Sequence, residues 1–487
     1  MAALSLHQAI ERDREIAVPD AALIREYRAY SIGFQAAVLT AEQRTSLGSL
    51  VCHPLVDNVA DLVLAAAAAR LEFTGYAVDD DAVREYLATV VTKNWLRDIQ
   101  FDVHYRCLRD GNHYLGLQWV PERRVRTIPP PQDLPITVPG GAVTVPTDVA
   151  APALGGRVQV HHEPAWDGEV GMFVGYDAAQ IPTYAVKDFV QIVGDPPAPI
   201  KRRIVFFPDH LERYVGDGQG WRRFELPGED GTNGVLPWVK RDGRPLGIPV
   251  IHYANPRFGE GPYGASDLAG GILGLQDAIN SALADLANAA NLTAYPMMAV
   301  RGIDPKSGAV AVGPGRVVGS ASSDSDVRMM APGDLSQLMA YYTYLLGVIA
   351  RDTRTPLHTI GAGPWPSGEA IRRADGPAII KALSLAKTVG PAWATLAHRS
   401  TEIGNAFGGL ALDEDALVTA IFADPSQLDP LTQAQVAKTN AEMLATLSQV
   451  HDPTLLAKSG VVTDEEAAQI AGRETDRLAA LPPVAAF

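Results

Sequence analysis

Apolar residues recur at two spacings along the chain, and the spacing changes with region. Leu268, Ile272, Leu275, Ile279, Leu283 and Leu286 follow one another at intervals of 4, 3, 4, 4 and 3. That is a single stripe on a helix of 3.6 residues per turn. Asp277, Ser281, Asp285 and Asn288 fall on the opposite side, so the pattern predicts an amphipathic helix over 264–291, stopped by Pro296. It carries Asp267, Asp277 and Asp285 and no basic residue. Leu335, Leu338, Tyr342, Leu345 and Ile349 then recur at 3, 4, 3 and 4. This near-heptad spacing suits packing on another helix. It predicts a second helix over 334–356, with Asp334 as N-cap and Pro356 at its end. Between the two, 292–333 reads as brief strands around Gly turns.

The first 120 residues read mainly helical, with one helix within Ser5–Tyr30, one from Asn58 and one opened by Asp79-Asp80-Asp81. Acids in a first turn favour the helix dipole and supply caps. No His or distant carboxylate is tied to them by spacing, so a metal site is not expected there. Trp95, Ile99 and Val103 continue as helix, and EFTGYAV before them reads as a strand. Residues 127–156 are rich in Pro and Gly and read as an insertion without a core. Over 157–255, runs such as RVQVHH, EVGMFVGY, TYAVKDFVQIV and KRRIVFFP alternate at strand length between turn signals, as in antiparallel hairpins. His161 and His162 are adjacent on such a strand and point to opposite faces, which argues against a shared metal ion. Beyond the loop Leu357–Pro366, Ser367 is a good N-cap for a helix expected to break at Gly376-Pro377 and again at Gly390-Pro391. Further helices are expected near 430–450 and 464–480.

At 487 residues the chain is long enough for roughly three domains. With 47% hydrophobic residues it can bury real cores. No apolar run approaches the ~20 residues of a spanning helix, and the first residues mix acids and bases without a secretory apolar core. Cys52 and Cys107 are too few for a disulfide framework, so a reducing compartment is expected. The net charge of −15 comes from 41 basic and 56 acidic residues. That balance argues against a surface built to grip phosphates. The acidity is uneven: from Ala411 to Phe487 there are 12 Asp or Glu against 4 Lys or Arg, a net of −8. Conversely, Ser367–Lys387 holds Arg372, Arg373, Lys381 and Lys387 against Glu369 and Asp375, a net of +2.

No catalytic constellation holds. GxxxxGK[ST] and HExxH are absent. Ser367 lies between Gly363 and Gly368 without the spacing of a nucleophile elbow. The Gly-rich runs GPYGASDLAGG and GAGPWPSG each precede a helix, a generic anion-binding geometry, but neither belongs to a βαβ pattern. No enzyme, cofactor or metal is expected.

Five blocks in fixed order carry a resemblance: NVADLVLAAAAARLEFTGY; YRCLRDGNHYLGLQW; TYAVKDF with RRIVFFPDHLERYVGDGQGW; IPVIHYANP with YGASDLAGGILGLQDAINSALADLANAANLTAYP; and RTPLHTIGAGPWPSGEAIRRADGP. Together, over about residues 20–410, they resemble the portal proteins of long-tailed bacteriophages, the head-to-tail connectors. The resemblance implies an α+β portal fold assembled as a ring, usually of twelve identical subunits, around an axial channel. Residues 1–263 would form the wing, with the insertion 127–156 and the β-rich part 157–255. The stem helices would be 264–291 and 334–356, and the clip, a small α/β unit, 292–333. Leu357, His358, Gly361, Gly363, Pro364, Trp365 and Pro366 would belong to the tunnel loop 357–366. A long kinked wing helix would cover 367–410 and a helical acidic crown 411–487. The implied role is genome packaging and ejection at one capsid vertex of the virion, after assembly in the host cytoplasm and with initiation of the procapsid. Double-stranded DNA would pass without sequence preference. The implied partners are the major capsid protein, terminase and head-completion or tail adaptor proteins, with no membrane. Arg372, Arg373, Lys381 and Lys387 are then the candidate DNA-proximal cations, and Asp277 and Asp285 the candidates for the channel-facing side of the stem. The alternatives are another ring-forming structural protein or an uncharacterised enzyme.

Overall fold

The N-terminal region folds as two helices, α1 (Leu6–Ala17) and α2 (Ala21–Ser31), where the sequence predicts one. The interruption contains Pro19, which has no N–H for a helix ladder. Ser5 caps α1 in a capping box with Gln8. The structure is a computed structural model that describes residues 5–18, 20–35, 56–121, 156–193, 197–216, 220–226, 231–255, 261–294, 298–301, 326–329, 334–361 and 368–426. Of 291–294, 298–301, 326–329, 368–369 and 372 it describes the backbone alone. The insertion 127–155 and the helices expected near 430–450 and 464–480 lie outside the described residues.

Helix α3 (Val59–Ala68) leads into strand β1 (Phe73–Val78), then α4 (Asp81–Lys93) and α5 (Leu96–Asp110). The Asp80 carboxylate accepts from the Val83 amide at 2.8 Å, so the acidic cluster is a helix cap. Trp95 adopts φ 51 and separates α4 from α5. Strand β2 (Asn112–Pro121) pairs antiparallel with β3 (Gly156–Pro164). A larger antiparallel sheet follows, formed by β4 (Gly171–Tyr176), β5 (Pro182–Val193), β6 (Ala198–Phe206), β7 (His210–Gly216) and β8 (Trp221–Arg223), with β9 (Val235–Pro237) also on β7. Strand β10 (Val250–Ala254) returns to β2. The predicted hairpins of 157–255 are therefore present, and α1 packs on the larger sheet through Ile10, Val186, Val205 and Tyr214.

Helix α6 (Ile272–Ala294) is followed by the antiparallel pair β11 (Met298–Arg301) and β12 (Asp326–Met329), then α7 (Ser336–Thr353). Helices α6 and α7 pack on each other. Leu357–Ile360 makes one 3₁₀ turn. After it come α8 (Gly368–Ala374), α9 (Gly376–Gly408) and β13 (Val418–Phe422). Three sequence expectations are corrected here. Helix α6 starts at Ile272 rather than 264, because Gly270 and Gly271 sit at φ 77 and 93 and interrupt any helix before it. Helix α9 breaks from α8 at Asp375 as expected, yet runs on through Gly390 and Pro391. Buried Val389, Trp393 and Leu396 on both sides of that proline hold the helix against the one hydrogen bond it loses. Residues 411–422, placed in a helical segment from the sequence, contain the strand β13, which pairs antiparallel with β1. Residues up to Phe422 form one compact unit and those from Ala423 a second, of which 423–426 are described.

The core centres on Trp393, which is fully buried. Its ring stacks on Phe73 at 4.3 Å and meets Tyr253 edge-on at 5.3 Å. Its Nε1 donates to His104 Nε2 at 3.1 Å. Burial pushes His104 down to about 4, which keeps that imidazole neutral and able to accept. Another cluster joins Val63 and Leu64 of α3 to Ile272 and Ile279 of α6 and Leu345, Leu346 and Ile349 of α7.

Candidate functional site

The helix pair is seated by its apolar stripe. Ile272 and Ile279 are buried, while Leu275, Leu283 and Leu286 are half-buried. The polar side is less uniform than the sequence suggests. Asp277 Oδ1 accepts from the Tyr30 hydroxyl at 2.8 Å, and desolvation, then this contact, pushes the phenol up to about 12. Gln276 and Asn280 are also buried: Gln276 accepts from the Ala60 amide at 3.0 Å and Asn280 from the Asp57 amide at 3.1 Å. The first turns of α6 are thus engaged by the N-terminal helical region, and Asp277 is held by Tyr30. Asp285, two turns on, is exposed.

Asp267 is not on α6. It sits in the turn before it, where its amide donates to the Leu108 carbonyl at 2.8 Å. Its carboxylate accepts from Asn255 Nδ2 at 3.0 Å and pairs with Lys381. Lys381 also donates to the Thr353 carbonyl at 3.1 Å, satisfying a group that the end of α7 leaves without a helical partner. One ammonium on α9 therefore ties the entrance of α6 to the exit of α7. Lys381, a DNA-proximal candidate from the sequence, has its charge neutralised inside the chain. Sequence spacing gives no signal for this pair. The only hint is the turn composition of GASDLAGG, which disfavours a helix at Asp267.

A second junction fixes the start of the loop. Asp375, at the break between α8 and α9, accepts from Arg70 Nη2 at 3.2 Å and lies 3.4 Å from His358 Nε2. Arg70 Nη1 donates to the Ala66 carbonyl at 3.0 Å. His358 is thus anchored, while Leu357 is exposed and Ile360 buried. Gly361 caps the turn at φ 75. Gly363, Pro364, Trp365 and Pro366 lie outside the described residues. Among the candidate cations, Arg373 and Lys387 are exposed, and the side chain of Arg372 lies outside the described residues.

The histidines of β3 divide as their alternation predicts. His162 Nδ1 meets His113 Nε2 at 3.0 Å, whereas His161 Nε2 lies 3.1 Å from Glu163. Cys107 is buried, and desolvation pushes its thiol up. No described helix is long and apolar enough to cross a membrane.

No family model matches the chain, and no curated protein matches it. Solved structures do align with it. One is a chain of the neck of a native GTA particle computed with C12 symmetry, over 95% of this chain and 99% of that one, at 14% identity and a TM-score of 0.44. Another is from the neck of an empty GTA particle computed with C6 symmetry, over 94% of this chain and 98% of that one, at 14% identity and a TM-score of 0.41.

Proposed function

We propose that the chain is the subunit of a portal ring, a structural channel for double-stranded DNA at one vertex of a phage capsid, with no catalytic step of its own. The observation that carries this proposal is the packed pair α6–α7, with the antiparallel strands β11 and β12 between them in sequence and Lys381 pinning their base. It agrees with the order of stem, clip and stem that the sequence resemblance implies. Large apolar side chains support assembly. On α7, Met339 is 57% and Tyr344 66% exposed, and on α9 Ile380 is 64% exposed. Neighbouring copies in a ring would cover these side chains. Helix α6 carries no basic residue, so it would not hold phosphates as DNA slides. Arg373 and Lys387 remain as DNA-proximal cations. The sequence resemblance alone makes twelve the expected subunit number. The docking partners would be terminase, the major capsid protein and the head-completion proteins, and the chain would reside in the virion.

Negative-stain images of the purified chain should show rings with a central hole. Tyr344→Asp and Ile380→Asp should leave circular dichroism unchanged and abolish the rings. A chain that stays monomeric at every concentration and melts higher with a small molecule would overturn the proposal in favour of an enzyme.

A further inference from the structure

A cleft on the face of the larger sheet, remote in sequence from α6–α9, has a charged floor that α1 and the strands build together. Its volume is about 200 Å³. Arg14 of α1 and Arg203 of β6 converge on Asp188 of β5: Arg14 Nη1 donates to Asp188 Oδ2 at 2.7 Å and Arg203 Nε to Asp188 Oδ1 at 2.7 Å. The three side chains are 0%, 2% and 6% exposed. Two buried guanidiniums therefore face one buried carboxylate. Glu11 accepts from Arg203 at 2.6 Å and lies 3.6 Å from Arg14 Nη1, but at 46% exposed it closes the solvent side of the cluster and is not a second buried carboxylate. Arg14 Nε and Nη2 have no hydrogen-bond partner among the described residues. A buried guanidinium with two idle donors is uncommon and costs stability unless something else serves it.

The walls suit a specific guest. Trp166 stacks on the Arg14 guanidinium at 4.7 Å, and Trp221 on that of Arg203 at 4.2 Å. Lys201 lines the cleft and is exposed, and its ammonium has no ion-pair or hydrogen-bond partner among the described residues. Along β5 the same face continues from Asp188 to Val190 and Ile192, which are 46% and 72% exposed. Arginine and tryptophan are enriched at protein-binding hot spots, and here they stand beside an exposed lysine and an apolar strip. The edge carries Glu11 and Glu169, whose carboxylates repel a chain of phosphates.

We infer that this cleft binds an acidic segment of another protein, taking one carboxylate between Lys201 and the arginine floor while flanking apolar residues lie on Val190 and Ile192. A capped peptide of alternating Glu and Leu, titrated into the full chain by calorimetry, should bind saturably and more weakly as salt rises. The Gln-for-Glu peptide and the Lys201→Glu protein should each bind about tenfold more weakly, the scale of one charged hydrogen bond. Lys201→Glu should melt with the wild type, and Val190→Asp serves as the second variant if it does not. No binding, equal binding of the Gln peptide, or undiminished binding by both variants would overturn the inference. So would equal displacement by inorganic phosphate or a DNA duplex, which would reassign the cleft to phosphate.

Discussion

Replacing Lys381 with Met separates a cation that holds the fold from one that meets DNA. Lys381 is 15% exposed along its side chain and Asp267 only 4%, so solvent screens the pair weakly. Removing one member of a buried pair costs about 3–5 kcal/mol, because the other charge loses its counter-ion in a medium that cannot hydrate it. The Asn255 amide still donates to Asp267 at 3.0 Å, which sets the expected loss near the lower end, about 3 kcal/mol. At about 2 °C per kcal/mol, the midpoint of thermal unfolding should fall by roughly 6 °C. Asp267→Asn should also destabilise. Lys381→Met with Asp267→Asn should cost less than the sum by at least about 1 kcal/mol, since neither leaves a charge for the other to miss. Calorimetric melting of the four proteins closes the cycle. Additive losses within about 0.5 kcal/mol, or a Lys381→Met chain that melts with the wild type, would refute the anchoring role. In that case Lys381 would return to the cations available for DNA.

Acid should weaken the fold through two histidines. Burial pushes His104 down from 6.5 to about 4 and His252 to about 3, so below pH 6.5 the unfolded chain binds more protons than the folded one. Their contribution is complete above pH 6.5 and declines as pH falls toward 4, by about 2 kcal/mol per histidine at pH 5; equal urea midpoints at pH 7.5 and 5.0 would contradict it. Trp393→Ala should cost about 3–5 kcal/mol, since it empties the centre of the core and strips His104 of its donor, and a Trp393→Phe chain should melt closer to the wild type. Arg373→Glu with Lys387→Glu should change stability by no more than about 0.5 kcal/mol, because both side chains are exposed. Genome packaging should nevertheless drop while rings persist, and wild-type packaging would remove both residues from the DNA path.

Periodic segments were legible where one face is buried. The alternating runs of 157–255 became antiparallel strands, and the stripe from Ile272 to Leu286 became the seam of α6. Where the sequence misled, contacts from distant residues decided. Val418–Phe422 is a short alternating run in acidic surroundings, and its partner β1 lies at the other end of the unit. Pro391 breaks a local rule and survives because Trp393 is buried two residues on. Asp277 stands opposite the apolar stripe as the pattern requires, yet Tyr30 covers it. Periodicity fixes which side of a helix a residue occupies but not whether another element reaches that side.

The same distinction changes which charges matter. Counted along the sequence, 367–387 is a basic stretch. In the fold its charges divide: Lys381 is neutralised by Asp267, and Asp375 is drawn to Arg70 and His358. These contacts join α9 to the entrance of α6, the exit of α7 and the turn Leu357–Ile360. Displacing α9 would therefore break buried ion contacts rather than slide one apolar surface over another, and such contacts change in discrete steps. Arg373 and Lys387 are exposed at the solvent surface. In a ring, the fold would thus hold the channel frame rigid with internal charges and leave few exposed ones to touch phosphates. On the proposed reading, that division would suit a conduit that guides DNA without binding it tightly.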